Sequence, residues 1–105
     1  MVLFVHMYIG VAVDKSKFEG QNLDDIVINI LCKHIPDLFD YIDDDNMVSY
    51  SVRHVKDNVD IIENLYGYFD PFQSYSENFS PEAIKKGFLY NLQDNDLIYI
   101  VNCHI

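Results

Sequence analysis

Of the twelve residues from Val2 to Val13, only His6 and Gly10 are neither apolar nor aromatic. A run this rich in β-branched and aromatic residues is the pattern of a strand covered on both faces, and it is too short to cross a bilayer. The odd positions Leu3, Val5, Met7, Ile9, Val11 and Val13 are uniformly apolar, whereas the even ones admit His6, Tyr8 and Gly10. The odd set is therefore expected to face the larger core. Leu97 to Ile105 closes the chain with a second strongly apolar strand. Two such strands belong inside a sheet, next to each other, so the segments between them must supply the covering layers.

Those segments switch period. Asp14 to Gln21 is a polar loop, after which Leu23, Ile26, Val27, Ile30, Leu31 and His34 recur at helical spacing. With Asn22 as N-cap, Asp24 and Asp25 in the first turn, and Lys33 and His34 at the end, a helix is predicted over 22–35. Pro36 breaks that helix, and Asp37 to Asp43 reads as a second, short one ended by Asp44, Asp45 and Asn46. Met47 to His54 alternates, with Val48, Tyr50 and Val52 on one side, and predicts a half-exposed strand towards a sheet edge. Val55, Val59, Ile62, Tyr66 and Phe69 trace a helical stripe, giving a helix over 56–68 weakened by Gly67. Asp70 to Phe79 is aperiodic and reads as a surface loop. Ser80, Pro81 and Glu82 start a last helix with Ile84, Phe88 and Leu92 as its buried edge, and Asp94 to Asp96 form a turn.

The resulting order is β-α-α-β-α-α-β: one α+β domain over residues 1–105, with a sheet of three or more strands covered by helices. The 105 residues suffice to bury about 65% of the unfolded surface. No basic segment precedes the apolar start, and two cysteines are too few for a disulfide framework. A reducing, cytoplasmic setting is the expectation.

Metal chelation by Cys32 with His34, or Cys103 with His104, is opposed by geometry: residues two apart on a helix diverge, and strand neighbours point to opposite faces. Both cysteines read as core thiols, His34 as a hydrogen-bonded helix-end histidine, and His6 and His54 have no readable partner. Asp43, Asp44 and Asp45 begin like a calcium loop, but Met47 stands where an oxygen ligand belongs and no glycine follows. No nucleophile elbow, phosphate-binding loop or dinucleotide fingerprint occurs. Neither enzyme activity nor a cofactor nor a metal is expected.

Charge is the strongest signal. Seventeen acids against seven Lys and Arg give a net charge of -10, unsuited to contacting phosphate backbones. Eleven of the acids lie in residues 36–82 against only Arg53 and Lys56, together with nine of the fifteen aromatic residues. On the predicted helix over 56–68, Asp57, Asp60, Glu63 and Asn64 share the face opposite the apolar stripe, bordered by Ile61 and Tyr68. Asp40, Asp43 and Asp44 share an arc with Asp37 beside Tyr41, and Asp70 opens the following loop, where Phe72 and Tyr75 are further anchor candidates. Such faces keep an acidic protein soluble, and they also suit a recognition surface with aromatic anchors inside a charged rim.

The sharper expectation is a small inhibitor that binds a basic, nucleic-acid-acting protein. Its forms would be an immunity protein or antitoxin for a nuclease toxin, or a phage-type nucleic-acid mimic. It would be a monomer or weak dimer when free, with no direct contact to nucleic acid or membrane. A non-catalytic interaction or regulatory subunit, whose apolar strands pair with a second chain, is the alternative. A small-molecule enzyme ranks third.

Overall fold

A computed structural model describes residues 6–34, 47–77, 80–89 and 92–104. Strand β1 (His6–Val13) leads through a 3-10 turn (Lys15–Phe18) to helix α1 (Leu23–His34). After it come β2 (Val48–Ser51), the short helix α2 (Val52–Asp57), a 3-10 turn (Val59–Ile62), β3 (Gly67–Phe69) and β4 (Tyr75–Ser76). Helix α3 (Pro81–Ile84) runs on as a π-helical turn (Lys85–Leu89), and β5 (Leu97–His104) ends the described chain.

The five strands form one mixed sheet in the order β2-β5-β1-β3-β4. Strands β1 and β5 pair antiparallel from His6↔His104 to Val13↔Leu97, β1 and β3 run parallel, and the outer pairs are antiparallel. The two apolar strands are thus adjacent and interior, as their two-sided apolar pattern requires. Val2 to Val5, and the short helix expected after Pro36, lie outside the described residues.

Each sheet face carries its own core. Ile9, Val11 and Val13 face Val27, Ile30 and Leu31 of α1, with Phe69, Tyr99 and Val101 beside them. The α1 boundary follows its cap: the Asn22 carboxamide oxygen accepts from the backbone N–H groups of Asp24 and Asp25. On the opposite face Ala12 and Ile98 meet Val52, Val55, Ile62, Leu65, Tyr68, Ile84, Phe88, Leu89 and Leu92. Ile9, Val11 and Val13 therefore face α1, while α2, the 58–66 segment and α3 gather on the even face. Leu3, Val5 and the Met7 side chain, the rest of the odd set expected to face the larger core, lie outside the described residues.

Two sequence boundaries move, for local reasons. The strand beginning at Val48 stops at Ser51, whose hydroxyl caps α2 by accepting the His54 N–H at 3.1 Å. The Val52 and Arg53 N–H groups are satisfied by the Asp96 and Asp94 carbonyls, so the turn before β5 supports the start of α2. The predicted helix over 56–68 is absent. It is replaced by the end of α2, the 3-10 turn and strand β3.

Asn58 ends α2 with its own N–H on the Val55 carbonyl and its side-chain amide on the His54 carbonyl. Beyond Gly67, Tyr68 and Phe69 are better suited to a pleated surface than to a helix. Gly67 itself is demanded by packing, since a Cβ there would overlap the Tyr75 hydroxyl. The same region yields β4, a fifth strand within the expected 70–79 loop, where Tyr75 packs its ring 4.9 Å from that of Phe69.

Candidate functional site

Where the even-face layer ends, the sheet is left partly bare by the described residues. Gly10 lets that layer approach closely, since a Cβ there would come within 2.7 Å of both Leu65 and Phe88. Two residues earlier on the same face of β1, Tyr8 is 42% exposed. Tyr8, Val48, Tyr50 and Ile100 floor an open groove of about 430 Å³, walled by Ile61, Asn64 and Leu65 from the segment after α2. The Tyr66 N–H donates to the Tyr8 carbonyl at 2.8 Å, which holds this segment against the mouth of β1. Tyr50 is stacked on His54, with ring centroids 5.5 Å apart and planes 8° from parallel.

The segment that walls the groove also carries exposed acids. Asp57, Asp60, Glu63 and Asn64 are all exposed, spread over the end of α2, the 3-10 turn and its exit. Ile61 and Asn64, which line the groove, each follow an exposed acid in sequence, Asp60 and Glu63. The arrangement is an aromatic and aliphatic floor beneath a wall segment that also bears exposed carboxylates. It can take up apolar side chains while attracting positive charge.

The structure redistributes the residues singled out by sequence. Tyr68 is no surface anchor: it is 4% exposed on β3, its ring centroid is 5.2 Å from that of Phe88, and its hydroxyl donates to the Ala83 carbonyl at 3.4 Å. The helical wheel placed it beside the acidic face, but β3 turns it into the core. Asp70 works locally: one carboxylate oxygen accepts from the Phe72 and Ser74 N–H groups at 2.9 and 3.0 Å, holding a tight turn in which Gln73 has φ 64°. Phe72 stands 66% exposed under the Lys17 ammonium at 4.9 Å, away from the groove. Asp40, Tyr41, Asp43 and Asp44 lie outside the described residues.

Sequence reasoning missed Tyr8, Val48, Tyr50 and Ile100, the whole groove floor. Their signal was the tolerance of the even β1 positions for Tyr8, together with the exposed alternation of β2. His54 finds a partner in Tyr50, and His34 is exposed at the α1 terminus with its ring 5.4 Å from that of Phe69. Cys32 is a half-buried free thiol, while the Cys103 side chain lies outside the described set.

A second, more polar cleft of about 460 Å³ lies at the C-terminal end of β1, between the 3-10 turn and the turn before β5. Its one buried carboxylate, Asp96, is 7% exposed and accepts the Lys15 N–H at 3.1 Å and the Gln93 N–H at 2.8 Å, one on each oxygen. It fastens two turns together. Nearby on the α1 face, burial, then the hydrogen bond and negative charge of Asp24, push the Tyr99 phenol up to about 12. Among the described residues no three His, Cys, Asp or Glu gather to hold a metal ion, and no buried side-chain polar atom lacks a partner. No helix among them is long and apolar enough to cross a membrane. Comparisons with protein-family models, with curated proteins and with solved structures return no match.

Proposed function

We propose that this chain is a non-catalytic binding protein that docks a basic protein through the groove between β1, β2 and the 58–66 segment. The observation that carries the reading is the groove floored by Tyr8, Val48, Tyr50 and Ile100 and walled by a segment that bears exposed Asp60 and Glu63, in a chain of net charge -10. Desolvated aromatic contacts supply affinity in such interfaces, and surrounding charge supplies approach rate and selectivity.

Proteins with a concentrated positive cleft are mostly those that handle nucleic acid. The particular form we favour is an inhibitor of a nuclease, an immunity protein or antitoxin, acting from the cytoplasm by occupying that cleft. The subunit alternative drew on the apolar strands pairing with a second chain. It is the weaker reading because β1 and β5 spend their pairing capacity on each other and on β2 and β3.

The test is purification of the chain with its native partner, followed by assay of that partner's nuclease activity. Stoichiometric suppression, relieved by Asp60→Lys with Glu63→Lys, supports the reading. A partner with no basic surface, or suppression untouched by the reversal, overturns it.

A further inference from the structure

The groove does not end at side chains. It opens on β2, which among the described residues is an outer strand of the sheet and pairs with β5. Outer strands are commonly guarded against further pairing by lysine, proline, a bulge or extreme shortness. The other edge, β4, is two residues long. Strand β2 is four residues, Val-Ser-Tyr-Ser, with no charge and no proline, and both Val48 and Ser49 are exposed. Val48 is 45% exposed, and it lies with Tyr50 on the face that floors the groove. A strand laid against β2 would therefore set every second side chain beside Val48 and Tyr50, at the outer border of the groove, because strand side chains alternate in direction.

We propose that the basic partner engages this site by adding an extended segment to the edge of β2, making a sixth strand. Its alternate apolar side chains cover Val48 and Tyr50 at the outer border of the groove, and its lysines or arginines meet the acidic surface of a chain of net charge -10. The proposal rests on the docking reading above and adds the geometry of the contact. Charge selects the occupant: a second copy of this chain would bring another net -10 to a surface already of that charge, whereas a basic segment neutralises it.

The probe is a synthetic peptide, acetyl-Lys-Val-Arg-Ile-Lys-Val-Arg-amide, titrated into the isotope-labelled full chain at low salt. Two analogues are N-methylated, each at one alternate set of residues. A strand uses one backbone edge to pair, so methylating one set should weaken binding at least tenfold while the other set binds like the parent. Amides within 48–51 should gain exchange protection, and Val48→Lys should abolish binding without altering the melt. Equal binding by both analogues, with 48–51 unprotected, overturns strand addition and leaves the docking reading standing. Absence of binding by the parent peptide overturns strand addition. If an all-lysine peptide and the native partner also fail to bind, the docking reading falls with it.

Discussion

Replacing Tyr68 by alanine separates the strand observed here from the helix that the spacing of Val55, Val59 and Ile62 suggested. On a helix with an acidic face, Tyr68 would sit at a polar border, and its removal would cost no more than roughly 0.5 kcal/mol. On β3 it is 4% exposed, packed on Phe88 among Leu65 and Ile84, and the substitution opens a cavity of aromatic size. Burying an aromatic side chain and then truncating it to alanine costs about 3–5 kcal/mol. The hydroxyl adds little, since its bond to the Ala83 carbonyl is long at 3.4 Å. Tyr68→Phe should therefore lose less than about 1 kcal/mol.

The assay is urea unfolding followed by far-UV circular dichroism. With a denaturant slope near 1.2 kcal/mol per molar, a loss of about 3.5 kcal/mol moves the midpoint down by roughly 3 M. That is a large part of the total stability of a chain this size, about 5–15 kcal/mol. Tyr8→Ala provides the contrast: at 42% exposure it should shift the midpoint by less than about 0.5 M. A Tyr68→Ala protein that melts with the wild type would refute the strand, and with it the position of the 58–66 segment that walls the groove.

Other outcomes can be checked without a partner. The Tyr99 phenol titrates at about 12 in the folded chain against 10.0 as its ordinary value, so the folded state holds the proton more tightly. Its contribution to stability is complete below pH 10 and is lost as pH rises through about 12. Urea midpoints should fall across that window in the wild type and less steeply in Tyr99→Phe. Asp96→Ala strips the partners from the Lys15 and Gln93 N–H groups and should cost about 2–3 kcal/mol, with hydrogen exchange accelerated at both amides. Equal exchange rates in the variant would show that those amides are held by something else.

The parts of this fold that were legible in the sequence are those in which one pattern has one structural solution. β1 and β5 are apolar on both sides and could only be interior, and Asn22 followed by a 3.6-residue period could only begin α1. The 47–76 stretch was misread because its apolar spacing fits a helix, while its decisive signals are local. Ser51 caps a helix that the alternation of Met47 to His54 concealed, Asn58 ends it after six residues, and Gly67 admits the Tyr75 hydroxyl that a longer side chain would exclude. Of the site, the exposed acids Asp57, Asp60 and Glu63 were legible as charge. The aromatic floor was not, because Tyr8, Tyr50 and Ile100 meet only through the pairing of three strands distant in sequence.

The central claim is that exposed carboxylates of the segment walling the groove steer a basic partner onto an aromatic floor. Stopped-flow association of the co-purified partner with the wild type and with Asp60→Lys, Glu63→Lys, measured from low to high salt, tests it most directly. Exposed charge acts on the encounter and is screened over about 10 Å at 0.1 M salt. The wild-type rate should fall steeply with salt, the double variant should be at least tenfold slower at low salt with a flatter dependence, and the two should converge at high salt with identical melting. Equal association rates at low salt would contradict the claim and leave Asp60 and Glu63 as a solvated surface.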